Sequence, residues 1–171
     1  VSNNGLQIEG SEEIETITFG VDACLELFRK SVDLKADFIF VHHGISWGNG
    51  FKRITGVNAQ RVGLLFKNDI SLYAMHLPLD AHPEFGHNAC ICRMLEMENL
   101  STFAEYDGRD IGFYGNLNEK TTPENLSEIL TEKLSSKATV FGDNEKEVLN
   151  IGVISGGSGT EGITAADDVS L

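Results

Sequence analysis

The sequence predicts an α/β fold of two packed units, with largely parallel strands, flanking helices and both ends cut. Three observations point to it. Stiff apolar runs alternate three times with segments of helical periodicity in the first half. A smaller alternation restarts near residue 106. The connections are short, and 41% hydrophobic with 23% charged residues is an ordinary globular composition. The units expected are 1–105, which carries the histidine and aspartate motifs described below, and 106–171, which carries a glycine-rich turn.

The first strand is Ile17 to Val21, ending at Asp22. A helix follows, with Cys24, Leu27, Phe28 and Val32 as its apolar stripe. The second strand, Phe38 to Val41, runs into His42-His43-Gly44. After a glycine-rich loop (Gly44 to Gly56), a helix carries Val62, Leu65 and Phe66 on one face. The third strand, Ile70 to Met75, ends at His76, and the loop beyond it contains Asp80 and His82. The next helix carries Ile91, Met94 and Leu95. Strand-helix-strand alternation of this kind predicts a parallel sheet with right-handed crossovers.

In the second unit, Asp107 to Asp110 reads as a turn and Ile111 to Gly115 as a strand. Thr122-Pro123 is a helix start, with a capping hydroxyl and proline at the first helical position. Leu126, Ile129, Leu130 and Leu134 give that helix a stripe expected to be buried. Ala138 to Phe141 and Leu149 to Ile154 read as two further strands. Val169-Ser170-Leu171 reads as the start of another, and a helix before Val1 is expected too.

A net charge of −13 disfavours phosphate backbones, so nucleic acid is not the expected partner. No run approaches the roughly 20 apolar residues of a membrane helix, and the start has no signal-peptide pattern. Three cysteines without a CxxC pair argue against a disulfide framework, and cytoplasmic location is expected. Cys24 and Cys92 are read as buried small hydrophobes.

Ligands of open parallel sheets bind beyond the carboxyl ends of the strands. Asp22, His42, His43, His76 and Asp80 all fall at such ends. Neutral imidazole is the commonest ligand for zinc, iron or nickel. Strict alternation would send His42 and His43 to opposite faces, so both reach one site only if the strand ends there, and Gly44 permits such a break. Asp80 can bridge two cations with its two oxygens; otherwise it makes an Asx turn or a helix cap. His76 and His82 are read as donors that orient the carboxylate, or else as extra ligands. Asp22 reads first as an N-cap, with a role near the metal as the alternative.

Ser155-Gly156-Gly157-Ser158-Gly159-Thr160 fits a phosphate cradle or a plain tight turn equally well. Trp47 and Phe51 either stack on a planar ligand or anchor their loop to the core. Trp47, Gly156 and Gly157 are the candidate contacts for a small-molecule substrate. No Gly-x-Ser-x-Gly elbow follows a strand.

Several segments together resemble the Nif-three-like proteins, also called GTP cyclohydrolase 1 type 2 homologues. These are Asn4 to Gly10, Val21-Asp22-Ala23, His42-His43-Gly44 with Trp47, Tyr73 to Pro83, and Ile154 to Gly159. The resemblance implies a two-domain α/β fold, a ring-shaped homohexamer and a centre of two divalent metal ions. It implies His42, His43 and Asp80 as ligands, with Asp80 bridging. A further histidine and glutamate are implied beyond the glycine-rich turn, past Leu171. Gly86-His87-Asn88 stands where the family reads Gly-Asn-Asn, so His87 is a bystander or an added ligand.

The function expected is metal-dependent hydrolysis of a nucleotide-like or cyclic amide substrate, with a metal-bound hydroxide as the nucleophile. The alternative is a non-catalytic, metal-binding oligomeric scaffold or interaction protein. Zinc, iron, manganese and nickel all suit the ligand types.

Overall fold

A computed structural model describes residues 2–49 and 53–169. It divides into two compact units, Val1–Leu79 and Asp80–Leu171. The division falls ahead of residue 106 because the helix at His87–Met94 packs on strands of the second sheet.

The first unit runs β1 (Gly5–Ile8), β2 (Ile17–Asp22), α1 (Leu25–Asp33), β3 (Phe38–His43), α2 (Gly56–Lys67) and β4 (Ser71–Ala74), and enters the short helix α3 (Leu77–Asp80). Its sheet has the order β1-β4-β3-β2. β2, β3 and β4 are parallel, as their helical crossovers require. β1 was not expected as a strand. It is antiparallel to β4 and places Leu6 against Tyr73.

Alternation along the strands gives the sheet two unlike faces. Ile39 and Val41 of β3, with Leu72 and Ala74 of β4, meet Phe28 of α1 and Leu65 of α2 in a fully buried core. The opposite face carries an aromatic row, with ring centroids 5.9 Å apart for Phe19 and Phe40 and 5.6 Å for Phe40 and Tyr73. Two details of the helices differ from expectation. Phe66 is exposed, because the α2 face it occupies turns away from the sheet core. Cys24 is exposed too: it caps α1, its sulfur accepting from the Leu27 amide. Asp22 is therefore not the cap.

Asp37 fastens the start of β2. Its Oδ2 accepts from the amides of Glu15 (3.0 Å) and Thr16 (2.9 Å). Those bonds, Thr16 first, hold its carboxyl below the ordinary carboxylate value. A depressed folded-state value stabilises the fold above the unfolded value and loses that contribution as pH falls through the folded one. We expect the thermal midpoint of Asp37→Asn to be less acid-sensitive than wild type at about pH 4 and below. Parallel midpoint-versus-pH curves would contradict this.

The second unit runs α4 (His87–Met94), β5 (Glu98–Tyr106), β6 (Arg109–Thr121), α5 (Pro123–Leu134), β7 (Val148–Val153) and α6 (Gly159–Asp168). Its sheet, β5-β6-β7, is antiparallel throughout. The expectation of largely parallel strands thus describes only the first sheet. The cause is local: Asp107 and Gly108 both adopt positive φ, 55° and 79°, which makes a tight two-residue hairpin turn between β5 and β6. Ala89, Cys92, Phe113, Leu117 and Val153 form this unit's core.

Thr122 caps α5 as expected, its hydroxyl accepting from the Asn125 amide with Pro123 following. The stripe of α5 is not buried, however. Leu126 packs against the core, while Ile129 and Leu134 are exposed. Ala138 to Phe141 is not a strand; the segment follows the left-handed Ser135 that ends α5, and Phe141 lies open. Val169 ends α6 instead of starting a strand, and Ser170 and Leu171 lie outside the described residues, as does Phe51.

Candidate metal centre

The end of β3 brings three histidines together. One ring nitrogen from each of His42, His43 and His76 lies within 4.8 Å of the others. Ring centroids are 4.6 Å apart for His42–His43, 4.8 Å for His42–His76 and 5.1 Å for His43–His76. The adjacent pair converges because the sheet lets go of it. Pairing with β4 stops at Val41, opposite Ala74, and only β2 still pairs at His43, opposite Asp22. The pleat that would split the two side chains is no longer imposed from both sides.

Gly44 serves this end of the strand by smallness, not by a left-handed backbone. A Cβ there would lie 2.2 Å from Oε1 of Gln7. That same oxygen accepts from the amides of Ile45 (2.7 Å) and Ser46 (3.2 Å), so β1 holds the loop beyond the histidines. On the other side, Asn4 accepts from the His76 amide at 2.8 Å. The opening Asn-Gly-Leu-Gln segment thus positions the site from the first residues of the chain.

The hydrogen bonds of two rings settle what they offer. Nδ1 of His42 is 2.9 Å from the carbonyl oxygen of Met75, and Nδ1 of His43 is 2.8 Å from Oδ1 of Asp22. A carbonyl and a carboxylate only accept, so each Nδ1 carries a proton, which in the neutral ring leaves Nε2 as the ligating nitrogen. Donation of one ring N–H to such an oxygen is the usual support of a metal-ligating histidine. The donor set therefore fits a divalent ion. Asp22, which does not cap α1, instead accepts from the ring of His43. His76, expected either to orient a carboxylate or to ligate, stands among the potential ligands.

Trp47 closes one side. Its ring centroid lies 5.1 Å from that of His76 and 6.0 Å from that of His43, and its indole N–H donates to the Gly44 carbonyl at 2.9 Å.

In the second unit, Asp80 is buried, and its Oδ1 accepts from Nδ1 of His87 (2.7 Å) and the hydroxyl of Ser155 (3.1 Å). His87 is thus a partner of Asp80, not a bystander. Asn88, fully buried, donates to the Ile111 carbonyl at 2.7 Å and accepts from the Ser155 amide at 2.5 Å. Neither the Ser155 bond to Asp80 nor the Asn88 bond to Ser155 has a signal in the sequence; an asparagine in a helix's first turn and a serine in a glycine-rich loop are too common to mark them. Ser155 is committed to these bonds. Gly156 (φ 79°) and Gly157 follow it in an open turn before α6, where a Cβ would meet nothing within 4 Å. His82 stays within its own turn: its Nδ1 accepts from the amides of Glu84 (3.2 Å) and Phe85 (3.0 Å), and its ring lies against Phe85. No helix among the described residues is long and apolar enough to cross a membrane.

Comparison with known proteins gives a consistent picture. The sequence pattern of Duf34/NIF3 (NGG1p interacting factor 3) matches residues 1–169. The chain is similar to the GTP cyclohydrolase 1 type 2 homolog of Pyrococcus horikoshii, 45% identical over 92% of this chain and 63% of that protein. It is 43% identical to the homolog of Archaeoglobus fulgidus over 91% of this chain and 61% of that one. The chain therefore spans less than two thirds of the length of these curated relatives. Among solved structures, protein ybgI, described as of unknown function, superposes with a TM-score of 0.89 at 33% identity, covering 99% of this chain and 67% of that one. TTHA1606 from Thermus thermophilus gives 0.73 at 33% identity, over 86% and 59%.

Proposed function

Because the chain belongs to the Duf34/NIF3 family, we propose that its histidine cluster binds divalent metal and that the protein is a metal-dependent hydrolase of small molecules. The observation that carries this is the convergence of a ring nitrogen from each of His42, His43 and His76 within 4.8 Å of the others, with Nδ1 of the first two held by the Met75 carbonyl and by Asp22. Asp80 enters on the motif it shares with the family, four residues after His76, as the carboxylate able to bridge a second ion. The name of the curated relatives, GTP cyclohydrolase 1 type 2 homolog, supports a nucleotide-like or cyclic amide substrate.

When bound, divalent ions supply Lewis acidity toward a carbonyl or phosphoryl oxygen and a nucleophile at neutral pH. The chain's own residues do the rest. Asp22 and the Met75 carbonyl hold the protons on Nδ1 of His43 and His42. Trp47 covers the flank of His43 and His76 and keeps bulk water from that side.

The test compares metal-loaded and EDTA-treated protein against a panel of nucleotides, phosphate esters and cyclic amides. We expect hydrolysis of at least one member with metal, lost on chelation and restored by adding the ion back. A metal-loaded protein silent across the panel would contradict the hydrolase reading and return the alternative, a non-catalytic metal-binding scaffold.

A further inference from the structure

A cavity of about 250 Å³ opens beside the histidine cluster, wholly within the first unit, between β1, the loop after Gly44 and α2. Trp47 belongs to its wall and is the ring that also lies against His43 and His76. Ile54, Val62 and Phe66 make the remaining wall largely apolar. Two arginines, Arg53 and Arg61, line it as well. Two cations on one small apolar cavity are unexpected in a chain with 26 acids and 13 bases.

Arg61 is held in place from behind. One terminal nitrogen donates to the Ala23 carbonyl at 2.8 Å and the other to Oδ1 of Asn58 at 2.5 Å. Its Nε–H is buried and meets no acceptor among the described residues. A guanidinium has five N–H donors, and leaving one buried without an acceptor is costly. An anionic ligand in the cavity would face the charge of this fixed guanidinium, and Arg53 would add a second positive charge. The volume suits the rest of such a ligand, since a dry cavity of about 150 Å³ already admits benzene.

We propose that this cavity binds a planar ring bearing a phosphate or carboxylate group. Its place behind Trp47 makes it the seat of the substrate's ring, a role that rests on the metal-centre reading, whereas binding itself does not. Phenyl phosphate and benzoate share the required chemistry and differ in the anion; benzyl alcohol has the ring without charge.

Trp47 is the single tryptophan of the chain, so its emission reports the cavity directly. The three probes are titrated into EDTA-treated protein. We expect a saturable change with phenyl phosphate, benzoate or both, the tighter one identifying the anion. Benzyl alcohol should bind about tenfold more weakly. Arg53→Gln, at an exposed position that leaves the fold intact, should weaken the anion about tenfold and leave benzyl alcohol unchanged. Arg61→Lys keeps a charge but loses the fork, and should also weaken the anion. No saturable change with either anion, equal affinity for benzyl alcohol, or unchanged affinity in both variants would overturn the proposal. Metal uptake measured on the same samples separates this failure from failure of the metal centre.

Discussion

His43→Ala loses divalent-metal affinity by more than about 100-fold, beyond the 10–100-fold that usually follows loss of a ligand's supporting partner. The ring supplies a lone pair at Nε2 because Asp22 fixes the proton on Nδ1. Alanine removes both the donor and the reason for Asp22's orientation. The fold should tolerate the change, since the His43 side chain is 39% exposed and lies at the strand's end. Asp22→Asn is the graded control: an amide oxygen still accepts from Nδ1 but carries no charge, so the loss should be about tenfold. Calorimetric titration with zinc and with manganese checks both variants, with circular dichroism as the folding control. Wild-type affinity in His43→Ala would remove this histidine from the site.

Phe28→Ala destabilises the first unit by about 3–5 kcal/mol, the usual range for emptying a buried aromatic position. Phe28 is fully buried against Ile39, Val41, Leu65 and Leu72, and it is the anchor of α1 on the sheet. Stabilities of single domains are about 5–15 kcal/mol, so this is a large part of the total. Function should follow stability here, because Val41 precedes His42 and the core that fixes the one aims the other. The urea midpoint measures the loss. A shift equivalent to less than about 1 kcal/mol would mean that the core relaxes into the space, contrary to its packing.

Much of the first unit was legible because its residues obey strong local rules. The runs Ile17 to Val21 and Phe38 to Val41 are rich in β-branched and aromatic residues, and in the second unit Thr122-Pro123 is unambiguous as a helix start. The histidines were legible as a candidate cluster because they stand at or just beyond strand ends. What was not legible had physical causes. β5 is exposed along most of its length, so it shows no apolar alternation, and without it the antiparallel second sheet could not be anticipated. β1 is only four residues long, and its importance lies in Gln7, whose long-range bonds have no local signature. The stripe of α5 had the right periodicity, but periodicity marks an apolar face and not what covers it. The cation-lined cavity joins residues from Gln7 to Phe66, and no spacing rule predicts such a meeting.

The central claim is that the histidines at the end of β3 hold metal. X-ray absorption at the metal edge, on protein loaded with zinc and dialysed, tests it most directly. We predict at least one bound ion per chain, with imidazole scattering from two or more histidines at about 2.0–2.1 Å. Loss of that scattering in His42→Ala/His43→Ala would assign it to this cluster. Stoichiometric zinc whose spectrum lacks imidazole scattering, or no retained zinc at all, would contradict the claim.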